Sequence, residues 1–217
     1  MALILGIETA TQVCSVSLAR AGEVLNERYT EEANAHSAKL ALLIRQLFEE
    51  TGIPMKELQA VAVSKGPGSY TGLRIGVSTA KGLCYGLGIP LISVSSLRSL
   101  AAAALSLRPG MDLYCPMLDA RRMEVYTALY QPDLNPAMDI RAVVVDRDTF
   151  AGPLESQRIL FFGNGAGKCM DVINHPNALF DLSIRASANN LAQVAYERYH
   201  KGQMEDLAYF EPYYLKD

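Results

Sequence analysis

The sequence predicts an α/β protein of two lobes, each laid out as βββαβαβα, and three observations carry that expectation. A three-strand pattern opens the chain and another opens near Tyr114, each followed by helical stretches and short apolar strands. Each first strand ends on an acid, Glu8 in one half and Asp119 in the other. The step from apolar strand through a glycine turn toward a helix also occurs twice, at Gly66-Pro67-Gly68 and at Gly163-Asn164-Gly165-Ala166.

In the first half, Leu3 to Glu8, Val13 to Arg20 and Glu23 to Tyr29 read as strands, with Ala21-Gly22 as the hairpin turn. Asn34-Ala35-His36-Ser37 reads as a helix start. The stretch Ala38 to Glu50 places apolar residues at 40, 43, 44 and 47, with Gly52 as its stop. Ala41, Leu42 and Phe48 widen that apolar surface beyond a single stripe, which predicts a second contact. Ala60 to Val63 is a β-branched strand, and Ser69 is the expected N-cap of a helix from Tyr70 to Leu87. A strand at Leu91 to Val94 and a helix from Ser95 to Leu107 follow. Arg108-Pro109-Gly110 then marks the expected division into an N-terminal lobe, 1–108, and a C-terminal lobe, 109–217.

In the second half, Tyr114 to Asp119, Glu124 to Tyr130, Ile140 to Asp146 and Arg158 to Phe162 read as strands. The turn at Gly163 is expected to open a helix, and Ser187 to cap a last one reaching His200.

The helix over 70–87 is the most informative element. It carries glycine at 72, 76, 82 and 86, each of which costs roughly 0.5–1 kcal/mol against alanine in a helix interior, so close packing must offset them. At 100° per residue Gly72, Gly76, Thr79, Leu83 and Gly86 share one side, and Leu73, Val77, Ala80 and Cys84 an adjacent one. Small residues four apart let another backbone approach, so one side is expected on the protein's own sheet and the other on a partner.

Composition narrows the function. Half of the residues are hydrophobic and a fifth charged, and the net charge is −3. The balance argues against a broad basic face for holding nucleic acid. No run approaches the ~18 apolar residues of a membrane span, and the opening residues lack the basic start of a leader, so a cytoplasmic, membrane-free protein is expected. The four cysteines, Cys14, Cys84, Cys115 and Cys169, contain no C-x-x-C pair and read as buried thiols.

Motifs for chemistry are incomplete. Gly163 to Cys169 falls one residue short of a phosphate-binding P-loop and has Cys169 where a hydroxyl belongs. Ser78 and Lys81 match S-x-x-K, without the companion motifs of a serine hydrolase. His36, His175 and His200 form no metal pair. Two lobes with an acid after each first strand resemble the actin, Hsp70 and sugar-kinase (ASKHA) architecture of ATPases. There the second acid precedes glycines that admit phosphate, whereas Asp119 here precedes Ala120-Arg121-Arg122-Met123.

The run S-K-G-P-G-S-Y-T-G-L-R-I-G-V-S-T-A-K-G-L, residues 64–83, is similar to the TsaB family, also called YeaZ. The similarity extends through I-E-T-A-T at 7–11, N-A-H-S at 34–37, L-D-A-R-R-M-E-V-Y at 118–126, G-N-G-A at 163–166 and E-P-Y-Y-L-K at 211–216. Glu8 departs from the family's usual Asp. The resemblance implies a non-catalytic scaffold for N6-threonylcarbamoyladenosine (t6A) at adenosine 37 of tRNAs reading codons that begin with A. It implies pairing with the similarly folded TsaD, which carries the metal and transferase chemistry, with the ATPase TsaE joining and tRNA met only through the complex. Older peptidase M22 or glycoprotease labels of the family reflect the fold. Partner contact is expected on helices 36–51 and 70–87, at Ala38, Leu42, Arg45 and Glu49 of the first and Gly72, Gly76, Thr79 and Leu83 of the second. The same surface is expected to form a homodimer in isolation. No catalytic residue, metal or required cofactor is implied. Glu8, Asp119, Arg121, Arg122, Gly163 and Gly165 stand as a vestigial nucleotide site with weak ATP or ADP binding. The alternative is a nucleotide-binding ATPase or a peptidase-like hydrolase of the same fold.

Overall fold

A computed structural model describes residues 2–32 and 36–216. Its first half runs β1 (Leu3–Glu8), β2 (Cys14–Arg20), β3 (Glu23–Thr30), α1 (His36–Thr51), β4 (Ala60–Gly66), α2 (Tyr70–Leu87), β5 (Leu91–Ser95) and α3 (Ser96–Leu107). The second runs β6 (Leu113–Asp119), β7 (Glu124–Tyr130), β8 (Pro136–Val144), α4 (Ala151–Leu154), β9 (Ile159–Phe162), β10 (Ala178–Asp181) and α5 (Ala192–His200). The helix start expected at Asn34 and Ala35 lies outside the described residues.

The two sheets repeat one topology. The first has strand order β3-β2-β1-β4-β5 and the second, read from its opposite edge, β8-β7-β6-β9-β10. In both, the first three strands are antiparallel and the last two run parallel to the first. The duplication expected from the two acids therefore holds at the level of strand order.

In the first unit, Leu3, Leu5 and Ile7 of β1 and Cys14, Val16 and Leu18 of β2 face a core completed by Leu40, Leu43, Ile44 and Leu47 of α1 and Val77, Ala80 and Cys84 of α2. The alternate residues serve the opposite face. There Ser15 Oγ accepts from Ala188 N–H at 2.8 Å, and Ser17 Oγ donates to Ala188 O at 2.9 Å. Ser187 caps a 3₁₀ turn at Ala188–Leu191 that leads into α5. Small polar residues at alternate strand positions thus seat that turn directly on the strands.

In the second unit, Leu113, Cys115, Met117, Phe150, Ile159 and Phe161 form one core face. Leu97, Leu100, Ala101 and Ala104 of α3 pack with Tyr114, Leu118, Leu160 and Phe162 on the other.

The expected division at 108–109 is corrected. One unit takes the chain up to Ser96 together with Ser187–Tyr214, and the other takes Leu97–Ala186 with the residues from Leu215. The Arg108-Pro109-Gly110 turn is local punctuation, whereas the apolar stripe of α3 belongs to the second sheet and α5 to the first. Two further expectations change. The Gly163 turn opens only a 3₁₀ turn at Gly167–Cys169, not a helix. A fifth strand, β10, appears where none was expected, because Ala178–Asp181 is only four residues long and half-exposed.

Candidate partner-binding helices and the two acid loops

The turn that launches α2 is built by close approach. Gly66 has φ +108° and its peptide to Pro67 is cis. Ser69 N–H donates to Ala10 O at 2.7 Å, and the Ser69 hydroxyl accepts from Gly72 N–H at 3.3 Å as the N-cap. A Cβ on Gly68 would run into the Ala10 backbone, one on Gly72 into the Thr9 carbonyl, and one on Gly76 into the Thr9 hydroxyl. The motif at 64–83 and the motif at 7–11 are therefore two sides of one contact. Gly72 and Gly76, expected to meet a partner, are buried against β1's exit instead.

The open glycines of α2 are the other two. Around Gly82 and Gly86 a Cβ would meet nothing within 4 Å, and Tyr85 between them is 85% exposed. Ser78 and Arg74 continue this outward stripe, while Thr79 and Leu83 are half-buried beside it. On α1, Ala38, Arg45 and Glu49 are exposed and Leu42 is half-buried. Arg45 and Glu49 form an i,i+4 pair at 3.6 Å. Of the side read as one face, Gly72 and Gly76 turn inward, Thr79 and Leu83 are half-buried, and Gly86 is open. What the sequence reading lacked was knowledge of which glycines the Thr9 carbonyl and hydroxyl would claim.

Lys81 of the S-x-x-K pattern donates to the carbonyls of Ala208 and Phe210, at 3.2 and 3.1 Å. Its amine is engaged with the C-terminal segment rather than with the exposed Ser78.

Glu8 is fully buried. Its Oε1 accepts from Ala10 N–H at 2.7 Å and from the Ser64 hydroxyl at 2.8 Å, whereas Oε2 and the neighbouring Thr9 hydroxyl have no partner. Burial pushes this carboxyl up to about 7, against the lowering effect of those hydrogen bonds. The acid expected at a nucleotide site is thus sealed beneath the turn that carries α2.

Asp119 stands exposed at the end of β6 and ion-pairs with Lys168, whose ammonium also donates to Glu124 O at 2.7 Å. Asp119 N–H donates to Asn164 Oδ1 at 3.1 Å. A Cβ on Gly163, φ +95°, would press on Met117 O, and one on Gly165 would sit 2.9 Å from Leu118 C and 3.0 Å from Asp119 N. These two glycines lay the loop flat on the end of β6. Arg121 and Arg122 both have positive φ, +72° and +46°, a region that costs an L-residue of order 1 kcal/mol. The backbone beyond Asp119 keeps a shape that suits glycine while bearing two long side chains. Among the described residues, no group of three His, Cys, Asp or Glu side chains comes together as a metal-ligand set, and His36 Nε2 is bonded to Thr11 O at 2.9 Å.

A duplicated five-stranded sheet with an acid at the end of each first strand defines the class: the actin, Hsp70 and sugar-kinase fold. The activator of 2-hydroxyisocaproyl-CoA dehydratase from Clostridium difficile, solved with bound ADPNP, shares that fold at a TM-score of 0.56 and 8% identity, over 93% of this chain and 97% of its own. The match becomes specific elsewhere. The family model for TsaD, tRNA N6-adenosine threonylcarbamoyltransferase, matches residues 23–203. The chain is 41% identical over 128 residues to the Bacillus subtilis tRNA threonylcarbamoyladenosine biosynthesis protein TsaB, covering 59% of this chain and 55% of the relative. YeaZ from Pseudomonas aeruginosa superposes with a TM-score of 0.86 at 28% identity, over 99% of this chain and all of its own. This chain belongs to the TsaD family, and the named relatives and full-length structural matches it resembles are TsaB and YeaZ proteins. It spans about half the length of the curated relatives it matches. No described helix is long and apolar enough to cross a membrane.

Proposed function

We propose that this chain is a non-catalytic partner subunit in t6A biosynthesis, pairing with a TsaD homologue through α1 and α2, with the ATPase TsaE joining the pair. Relatives of 32–41% identity carry the name of a t6A biosynthesis protein, which supports the pathway. The observation that carries the pairing is the outward stripe of Ser78, Gly82, Tyr85 and Gly86. A helix that keeps two bare glycines beside an exposed tyrosine offers close backbone approach and an aromatic anchor together. Helix α1 packs beside α2 and keeps Ala38, Arg45 and Glu49 exposed. In the absence of the partner the same face closes on a second copy of this chain.

Gly82→Leu should abolish co-purification with the cognate TsaD homologue while the circular dichroism spectrum stays that of the parent. An undiminished complex would end the reading. ATP and peptide-ester turnover by the chain alone, lost on Asp119→Asn or Ser78→Ala, would favour the ATPase or hydrolase alternative instead.

A further inference from the structure

We infer that the Arg121–Arg122 turn is a contact for the phosphodiester backbone of RNA. Both residues are exposed, and among the described residues neither guanidinium has a hydrogen-bond or ion-pair partner. The acids beside them are already neutralised, Asp119 by Lys168 and Glu124 by Lys216. On the adjoining loop Asp146 is turned onto the Thr149 hydroxyl and the Asp148 N–H. Asp119 and Glu124 thus face lysines rather than the two arginines, which stand as exposed cations on a chain whose net charge is −3.

The backbone sharpens the case. Arg121 N–H donates to Asp119 Oδ1 at 3.2 Å, and Glu124 N–H donates to Arg121 O at 3.0 Å, so the turn is held in its left-handed shape from inside. A position that favours glycine twice in succession, yet carries arginine twice, is a conformational penalty retained next to unpaired charge. Planar guanidinium groups match phosphate oxygens in bidentate geometry, which an ammonium does not.

The choice of RNA over a free nucleotide follows from the neighbouring loop. Gly163 and Gly165 press it against Met117, Leu118 and Asp119, and Lys168 is tied to Asp119, so the glycine backbone that cradles a nucleotide's phosphates is engaged in packing. An open tip with two free guanidinium groups suits a strand passing over it. The inference rests on the proposed role in tRNA modification and adds a direct RNA contact by this chain.

The test uses the full chain and its complex with the TsaD homologue, titrated with an unmodified tRNA transcript over 50–200 mM salt. The double variant Arg121→Gly/Arg122→Gly relieves the left-handed backbone and should fold at least as well as the parent. It should weaken tRNA binding about tenfold or more at low salt and reduce the log–log salt slope by roughly 1.5, as expected for two lost phosphate contacts. Parent-like tRNA affinity and slope in the variant, or no tRNA binding by parent chain and complex alike, would overturn the RNA contact while leaving TsaD pairing intact. Loss of ATP binding with unchanged tRNA binding would overturn it in favour of a nucleotide. Failure of the parent chain to form the complex would tell against the proposed function instead.

Discussion

Glu8 makes folding stability sensitive to pH in a window where few groups titrate. Its carboxyl is fully buried with one oxygen unpartnered, and burial raises it from 4.5 to about 7. The folded chain therefore keeps the proton over a range in which the unfolded chain has lost it. Stability from this group is full below pH 4.5, falls as pH rises toward 7 and is level above that. The shift of about 2.5 units corresponds to about 3 kcal/mol in all, and roughly 2.5 kcal/mol of it falls between pH 5 and pH 8. Glu8→Gln keeps an acceptor for Ala10 and Ser64 and cannot ionise, so it should remove that loss. Urea unfolding of parent and variant at pH 5, 6, 7 and 8, compared as the difference of differences, isolates the group from the surface carboxylates. Parallel pH profiles in the two proteins would refute the assignment of a buried, neutral Glu8.

Two other perturbations follow from packing. Gly76→Ala should lower stability by about 2–3 kcal/mol, because the new methyl group meets the Thr9 side chain at the start of a tightly held turn, whereas Gly82→Ala, in open space on the same helix, should raise it by about 0.5–1 kcal/mol. Thermal denaturation of the pair reads both signs, and equal effects would refute the division of α2 into an inward and an outward glycine face. The four cysteines are buried and burial pushes the Cys115 thiol up to about 12, so none should react with an aromatic disulfide reagent at pH 8 until denaturant is added. Absorbance on reagent addition checks this, and rapid release of even one equivalent would contradict it.

The antiparallel strands that open each lobe and the strand before each glycine turn were legible from apolar runs and turn residues, whereas β10 was not. Strands β1 and β7 and helix α2 appear at their expected bounds. What stayed hidden is long-range. Nothing in the stretch Ser96–Leu107 says which sheet its leucines and alanines will cover, since an apolar stripe fits either. The candidate site shows the same division. Periodicity identifies α2 as having two special sides, but the identity of the inward side depends on Thr9, more than sixty positions away. The glycines at 163 and 165 look like a phosphate loop until the backbone they touch is known. The positive φ of Arg121 and Arg122 is equally invisible locally, since arginine carries no preference for that region.

The return of Ser187–Tyr214 to the first unit has a consequence for synthesis of the chain. When residues up to 96 have left the ribosome, the sheet they form still has one face bare, with Ser15 and Ser17 waiting for Ala188. Closure must await residues 187–214, and a chain halted shortly after the Arg108-Pro109-Gly110 turn would carry α3 without the sheet it covers. A half-finished lobe must therefore stay sheltered while the intervening residues 97–186 are made.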